Sequence, residues 1–520
     1  MSTAKKQEAG TDIVTIGDDE THLTIQDVAA VARQGKEVAL SAKGIAKIEA
    51  SRVFVEDLTH RGKVVYGVTT GFGKFSNVNI GLDQLEQLQE NLIVSHAVGV
   101  GNPLGEDVVR GIMLLRANAL ARGYSGVRPQ VVETLVEMLN KGVHPIIPEK
   151  GSLGASGDLC PLAHMTLVMI GRGEAYYRGV SRPGKVAMNK AKIPVISLQA
   201  KEGLALINGT QAMTAIGALA LHDAETIVRT ADITAAMTFE ALEGTISAYD
   251  HKISKVRPHG GQGKVAANLR RILKGSRILA DSKQDQVQDA YALRCVPQVH
   301  GASRDALDYI RNIIETEMNS VTDNPLIFPE EGEVISGGNF HGQPIALAMD
   351  FLGICMSEIA NIGERRIERL VNPALNAGLP AFLTRKGGLN SGLMIAQYTA
   401  ASLVSENKLL ATPASVDSIP SSANQEDHVS MGTIAARKAA AIVENTSYVL
   451  AVELLCASQA LDLRGGKPAP GTGAARKVLR KEVRPLGQDR EMKGDMDKAR
   501  DLIKQGIILD AVEGVVNPLH

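Results

Sequence analysis

The second half of the chain contains long segments in which apolar residues occupy nearly every side of a predicted helix. Such helices need other helices around them, as in the centre of a large bundle. The chain also lacks Trp and is only 3% aromatic, so Leu, Ile, Val, Ala and Met must fill its core, which favours packed helices over sheets. The sequence therefore predicts a mainly α protein, with long helices over residues 209–241, 299–320, 342–371, 391–411 and 425–461.

The first 205 residues differ, because their predicted helices are shorter and glycine-rich loops separate them. Helices are predicted over residues 23–33, 41–58, 83–96, 107–122 and 129–141, a β-like run over 64–66, and a hairpin within 171–194. We divide the chain into a loose leader, a smaller N-terminal domain containing short strands, a central long-helix bundle, and a linker with a C-terminal helical tail. The predicted ranges of these four parts are 1–20, 21–205, 206–464 and 465–520.

Charge and cysteine usage argue against several classes of protein. The net charge is −1 and the basic residues are scattered, which argues against a nucleic-acid partner. We find neither a secretory signal at the start of the chain nor an uncharged apolar run long enough to span a bilayer. The sequence therefore predicts a soluble protein of a reducing cytoplasm. Its four widely spaced cysteines are predicted to be free thiols rather than disulfides or zinc ligands: Cys160, Cys295, Cys355 and Cys456.

Residues 151–158, Gly-Ser-Leu-Gly-Ala-Ser-Gly-Asp, form a stretch of small residues before an apolar run. One interpretation is a glycine-rich turn in which Asp158 caps the following helix. The other is chemical. If the turn is tight, the Gly157 nitrogen can attack the Ala155 carbonyl carbon. Loss of water from the ring and from the Ser156 side chain would then leave a methylidene-imidazolone, which carries an electrophilic alkene.

Each residue type in this turn suits the cyclisation, since glycine offers an uncrowded nitrogen, serine a leaving hydroxyl and alanine little bulk. The longer string Gly-Ser-Leu-Gly-Ala-Ser-Gly-Asp-Leu-Cys-Pro-Leu-Ala-His resembles the prosthetic-group segment of the histidine/aromatic amino acid ammonia-lyase family. The resemblance implies that Ala155, Ser156 and Gly157 form the methylidene-imidazolone autocatalytically, with no metal or diffusible cofactor. It also implies the ammonia-lyase fold, with the catalytic loop in the N-terminal domain.

Two further polar residues lie in loops, where functional residues concentrate. Tyr66 precedes a loop with three glycines. By itself it is a tyrosine packed at a strand end, but Tyr-Gly-Val-Thr-Thr-Gly-Phe-Gly resembles the family's catalytic tyrosine loop, which implies a general base or acid on a closing flap. Asn208 by itself would cap a helix. In the family the equivalent asparagine lies beside the prosthetic group and the substrate carboxylate.

Gln288, Tyr291 and Arg294 are spaced so that they lie near one face of a helical segment. The simplest interpretation is a surface face with an ion pair. The functional interpretation is a carboxylate clamp, in which Arg294 offers a bidentate fork with Tyr291 and Gln288 beside it. The string Gln-Asp-Ala-Tyr-Ala-Leu-Arg-Cys resembles the carboxylate-binding string of the same family, which favours the clamp.

The remaining candidates concern the substrate side chain. Glu426 could merely complement the dipole of a long helix, but a glutamate there resembles the histidine-specific members, in which it faces the imidazole. His96, after Ser95, and Met394 agree with that pattern, whereas Thr69 is commoner among phenylalanine and tyrosine relatives. Phe340 is either a loop aromatic plugged into the core or, by resemblance, a wall of the pocket.

The resemblance covers residues 20–465 and implies a non-oxidative deamination of L-histidine to trans-urocanate and ammonia, a step of histidine degradation. It implies that Tyr66 removes a β-proton and that the protein is a homotetramer whose subunits share active sites. Tyrosine or phenylalanine ammonia-lyases and 2,3-aminomutases use the same scaffold and remain alternatives. A non-catalytic helical scaffold with an inert turn is the alternative from a different class.

Overall fold

The computed structural model describes residues 13–18, 20–61, 70, 80–282 and 287–520. Within this part the chain is mainly α-helical, and its β structure consists of short two- and three-stranded sheets. The predicted mainly α class is therefore confirmed.

Two compact units divide the chain, and each contains segments that are distant in sequence. Unit 1 comprises Met1–Leu219, Asn312–Met349 and Ala414–Arg437. Unit 2 comprises Ala220–Arg311, Asp350–Pro413 and Lys438–His520. The four sequential parts that we inferred from the sequence remain a prediction.

The early helices of unit 1 begin and end at residues suited to those positions. Thr24 and Asp27 form a capping box at the start of the first helix, and Ser41 Oγ accepts a hydrogen bond from the Gly44 nitrogen (2.9 Å) at the start of the second. The predicted helices of this region are confirmed. Before residue 208, the described residues form α1 Ile25–Gln34, α2 Ala42–His60, α3 Leu85–His96, α4 Glu106–Ala121, α5 Pro129–Lys141, α6 Leu159–Met169, α7 Gly184–Lys190 and α8 Glu202–Ile207.

The described strands all belong to unit 1 and are short. They are β1 Ile13–Ile16, β2 Glu37–Leu40, β3 Val100–Pro103, β4 Val143–Pro145, β5 Pro148–Lys150, β6 Glu174–Tyr177, β7 Val180–Pro183, β8 Leu326–Phe328 and β9 Glu333–Ile335. β1 pairs with β2 in parallel, so part of the predicted loose leader is a strand. The antiparallel pairs are β3–β5, β4–β6, β6–β7 and β8–β9. The β6–β7 pair confirms the predicted hairpin.

The five predicted long helices are present, but one begins later than the sequence suggested. They are α9 Gln211–Ala241, α14 Val296–Met318, α15 Gln343–Val371, α16 Met394–Leu410 and α17 Gly432–Arg464. The helix expected to begin at residue 425 begins at Gly432, because residues 421–431 form a loop with several positive φ angles. Glu426 therefore precedes the helix instead of complementing its dipole.

Two of these helices, α15 and α17, contain stretches long and apolar enough to cross a membrane by length and composition. Both stretches contain charged residues, so the prediction that no uncharged apolar run is long enough to span a bilayer still holds. Within those stretches, 67% and 72% of the residues are buried inside the protein. Buried core helices of soluble proteins can be equally long and apolar, so length and composition are weak evidence that α15 or α17 crosses a membrane.

Unit 2 contains a buried ionic cluster that joins four of the long helices. On α17, Glu453 accepts hydrogen bonds from Arg366 of α15 (2.9 Å) and from Thr234 of α9 (2.8 Å). Asp232 of α9 lies 2.8 Å from His300 Nδ1 of α14. Paired charges of this kind can be buried because each partner satisfies the other. Within unit 2 these helices thus form the predicted bundle.

The remaining helices of unit 2 are shorter. They are α10 His251–Val256, α11 Gly260–Leu273, α12 Arg277–Ala280, α13 Tyr291–Arg294, α18 Pro470–Glu482, α19 Lys493–Lys504 and α20 Ile507–Glu513. Single 3₁₀ turns occur at Leu82–Gln84, Ile246–Tyr249, Ala381–Leu383 and Ser422–Asn424. All four cysteines are free thiols, as predicted.

Candidate active site

Residues 151–158 form a tight turn in which close neighbouring atoms leave no room for a side chain at the glycine positions. Gly154 and Gly157 have φ angles of 74° and 71°, which favour glycine. A Cβ at Gly157 would lie 2.2 Å from the Gly209 carbonyl oxygen. Gly157 forms a β-bridge with Gly209, and the Asp158 nitrogen donates to the Gly209 oxygen at 2.7 Å. The turn is therefore pressed against the segment that opens α9.

Asp158 anchors this turn, although not as the cap that the sequence suggested. It precedes α6, but its side chain makes no capping hydrogen bond there. Its buried carboxylate accepts hydrogen bonds from Ser152 Oγ (2.9 Å), Thr433 Oγ1 and the Met213 nitrogen (2.8 Å) in the first turn of α9. Burial raises the pKa of Asp158, and these hydrogen bonds oppose that rise. Asp158 thus ties the turn to α9 and α17.

Asn208 reaches the central residue of the turn. It follows α8, and its Nδ2 donates to the Ser156 carbonyl oxygen at 3.1 Å. The Asn208 carbonyl in turn accepts a hydrogen bond from Arg116 Nη1 (2.7 Å), which also donates to Gln211 Oε1 (3.0 Å). Burial lowers the pKa of Arg116 to about 10. Arg116 is not among the residues predicted from the sequence, where its only signal is an arginine within the apolar α4.

Glu426 contacts the turn, and His96 lies within electrostatic range of Glu426 in the same unit. Glu426 Oε1 accepts a hydrogen bond from Ser156 Oγ at 3.4 Å. His96 ends α3, and its Nδ1 lies 2.7 Å from the Leu92 carbonyl oxygen, so Nδ1 is the donor and Nε2 is the acceptor in the neutral ring. Burial lowers the pKa of His96, while the Leu92 hydrogen bond and the Glu426 charge oppose the shift. The structure thus joins Ser156 to Glu426 and places His96 within electrostatic range of Glu426.

Phe340 is half-buried in the loop before α15. The next residue, His341, lies against the loop at 421–431, because its ring centroid is 5.7 Å from that of His428 and its Nε2 is 3.3 Å from the His428 carbonyl oxygen. The loop that carries Phe340 therefore contacts the loop that carries Glu426. The predicted role of Phe340 as a pocket wall remains a prediction.

The predicted carboxylate clamp lies in unit 2. Tyr291 and Arg294 begin and end α13, and the Arg294 guanidinium carbon is 4.5 Å from the centre of the Tyr291 ring. Tyr291 is 68% exposed and Gln288 is exposed in the preceding bend. In the part of the chain that is described, Arg294 Nε is buried without a hydrogen-bond partner. Met394, also in unit 2, is the half-buried first residue of α16.

Tyr66 and Thr69, together with the β-like run at 64–66, lie outside the described residues. Among the residues that are described, no group of three His, Cys, Asp or Glu side chains is arranged to hold a metal ion.

Comparison with known proteins identifies the scaffold. The family described as "Aromatic amino acid lyase" matches residues 23–482. The chain belongs to the aromatic amino acid lyase family. It is 60% identical, over 96% of its length and 98% of the relative's, to the histidine ammonia-lyase of Alkaliphilus metalliredigens. The aromatic amino acid lyases are carbon–nitrogen lyases, so the chain is an enzyme of that class.

Solved structures agree with this assignment. A histidine ammonia-lyase from Trypanosoma cruzi matches with a TM-score of 0.90 and 43% identity, covering 97% of this chain and 96% of that one. A tyrosine aminomutase from Streptomyces globisporus matches with a TM-score of 0.92 and 39% identity, covering 98% of this chain and 100% of that one. The predicted ammonia-lyase fold is therefore confirmed.

Proposed function

We propose that this lyase deaminates L-histidine non-oxidatively to trans-urocanate and ammonia. The observation that carries the proposal is the polar end of the site, where the Glu426 carboxylate contacts Ser156 and lies within electrostatic range of the neutral His96 ring. Both present hydrogen-bond acceptors, which match the two N–H groups of a protonated imidazole ring, the form that the Glu426 carboxylate favours. A phenyl ring offers no donor and would leave these groups unpaired, which selective sites penalise strongly. The histidine ammonia-lyases among its relatives support the same substrate.

We propose that Ala155, Ser156 and Gly157 mature into a methylidene-imidazolone. The turn fits this group, because Gly157 has no room for a side chain and the Ser156 carbonyl already accepts a hydrogen bond from Asn208. When formed, the group supplies an electrophilic alkene to which the substrate amine adds. The Asn208 amide withdraws electron density from the carbonyl that it contacts.

The other side chains bind and orient the substrate. The Arg294 fork holds the carboxylate, with Tyr291 and Gln288 alongside. Glu426 and His96 hold the imidazole, with Phe340 and Met394 as apolar walls, and Glu426 also assists proton transfer. Tyr66 removes a proton from the β-carbon, which is next to the carbon that bears the bound amine, and the bond to that amine then breaks.

We propose that the enzyme is a cytoplasmic homotetramer whose subunits share their active sites. Large apolar side chains are exposed on α15 and α16 of unit 2, including Phe351, Ile354, Ile395, Tyr398 and Leu409. Such patches mark protein interfaces. Four free thiols without disulfides fit a reducing compartment.

A tyrosine-specific lyase or aminomutase on the same scaffold is the second candidate. The match to the tyrosine aminomutase favours it, as does the identity of Thr69. A phenol offers a single donor to the two acceptors at the polar end of the site, so this candidate fits less well.

The experiment is a substrate panel. Purified enzyme is incubated separately with L-histidine, L-tyrosine and L-phenylalanine, the unsaturated acids are followed by ultraviolet absorbance, and β-amino acids are scored by chromatography. We expect urocanate from L-histidine alone. Coumarate, cinnamate or a β-amino acid as the main product would contradict the roles of Glu426 and His96.

A further inference from the structure

The loop that carries Glu426 has a backbone that its residues disfavour. Ser422, Ala423 and Asn424 have φ angles of 52°, 52° and 66°, in the left-handed region that residues with side chains rarely adopt. Three consecutive residues of this kind persist only where surrounding contacts hold them, and such strain is concentrated at functional sites.

The three residues form the tip of a narrow hairpin that closes at Glu426. The Ser421 nitrogen donates to the Glu426 carbonyl at 2.9 Å, and the Glu426 nitrogen donates to the Ser421 carbonyl at 3.3 Å. Residues that exchange both main-chain hydrogen bonds form a tight antiparallel pair. The backbone of Glu426 is therefore fixed by Ser421.

The side chains of the same two residues are also joined. In the described part of the chain, the Glu426 carboxylate accepts side-chain hydrogen bonds from Ser156 Oγ on Oε1 (3.4 Å) and from Ser421 Oγ on Oε2 (3.2 Å). Maturation of the turn removes the Ser156 hydroxyl. Ser421 is then the one of these two donors that stays on the carboxylate, and Oε1 is released toward the turn.

We propose that Ser421 is a positioning residue for substrate selection. Its hydroxyl occupies Oε2 of Glu426 and so directs Oε1 to the imidazole N–H of the substrate. This inference rests on the proposed function. It assigns Ser421 no contact with the reacting atoms, so the effect of its loss belongs to substrate binding rather than to the chemical step.

The test is a steady-state comparison of Ser421→Ala and Ser421→Thr with L-histidine as the substrate. Because a hydrogen bond to a charged group is lost at a partly exposed site, we expect Ser421→Ala to raise KM about tenfold with a smaller change in kcat. Ser421→Thr keeps the hydroxyl, and position 421 is extended (φ −138°, ψ 177°), which a β-branched residue adopts well. We therefore expect Thr to restore the wild-type KM.

Ser422→Ala is the matched control, because it deletes the neighbouring hydroxyl, which is exposed, and it should keep the wild-type KM. The intact mass and the urea midpoint of every variant are measured as well. An unchanged KM in Ser421→Ala would overturn the inference. A KM rise that comes with a lower urea midpoint, and that Ser421→Thr does not reverse, would overturn it as well. If the wild type yields no urocanate from L-histidine, the proposed function is wrong. If the wild type yields urocanate and Ser421→Ala has the same KM, only the inference about Ser421 is wrong.

Discussion

Two irregular segments of unit 1 meet at Ser156 and Glu426, and they reach positive φ angles in opposite ways. Residues 151–158 use glycine at each such position, and a Cβ at Gly157 would collide with the Gly209 carbonyl. The loop at 421–431 uses Ser, Ala, Asn and Met instead. Close neighbouring atoms therefore require glycine in the turn, whereas the residues of the hairpin adopt backbone angles that residues with side chains disfavour. The first feature permits the chemistry, and the second sets the position of an acid.

The largest effect is expected at the glycine turn. Gly157→Ala places a Cβ 2.2 Å from a carbonyl oxygen, so we expect the turn neither to close nor to mature, with loss of all lyase activity. Gly179→Ala is the matched control, because Gly179 has a similar φ angle of 73° but no atom within 4 Å of the added Cβ. It should cost about 1–2 kcal/mol of stability in urea unfolding and keep full activity. A mature, active Gly157→Ala enzyme would refute the steric argument.

The next effect concerns the support beneath the turn. Arg116→Met leaves the Asn208 carbonyl and Gln211 Oε1 without their buried donor, which costs about 1–3 kcal/mol for each unsatisfied group. We expect a lower urea midpoint and a kcat reduced by at least about tenfold, since Asn208 then holds Ser156 less well. Arg122→Met at the end of the same helix is the control and should keep its kcat. Equal kcat in both variants would show that Arg116 does not position the site.

The two segments also differ in how far the sequence predicts them. The glycine turn can be recognised in the sequence, because only glycine fits at position 157 and the turn therefore has a distinctive series of small residues. The loop at 421–431 is not, since only Asn424 among its positive-φ residues is a type that tolerates this region, and the sequence predicts a helix that begins at residue 425. The bonds that Thr433 and Arg116 make depend on tertiary packing, which no local pattern records.

The fold was more predictable than the site. Periodic apolar segments and caps such as Ser41 placed most helices within a few residues. Asp158 shows the limit of that approach: its sequence position predicts a cap for α6, but its carboxylate bonds to α9 and to Thr433, which is 275 residues away. Local propensity cannot anticipate a partner at that distance.

A smaller effect of opposite sign is expected in the hairpin. Ala423→Gly removes the cost of about 1–2 kcal/mol that a residue with a side chain has in the left-handed region of the folded state. The greater freedom of glycine in the unfolded chain offsets about 0.4–1 kcal/mol of that gain. We expect an equal or higher urea midpoint together with a higher KM for L-histidine, because the loop around Glu426 loosens. Ala474→Gly within α18 is the control and should lower the free energy of unfolding by about 1 kcal/mol, and with it the urea midpoint. Destabilisation by Ala423→Gly would mean that the hairpin is not strained.

The smallest effect is a pH dependence near the start of the glycine turn. His164 Nε2 accepts a hydrogen bond from the Gly99 nitrogen (3.0 Å), so the folded ring is neutral, and burial lowers the pKa of His164 below its ordinary 6.5. As the pH falls below that value, the unfolded chain binds a proton that the folded chain does not, so stability is lost. We expect the stability advantage of the wild type over His164→Gln to shrink between about pH 7.5 and about 5.5. An advantage that is constant with pH would contradict this assignment.

The proposed reaction requires that Ala155, Ser156 and Gly157 become an electrophile. The intact mass of the purified wild-type chain, measured beside that of Ser156→Ala, tests it most directly. We expect the wild type to be lighter than its sequence by two water molecules, and Ser156→Ala to lack this deficit and to be inactive. A wild-type mass equal to that of the unmodified sequence would contradict it.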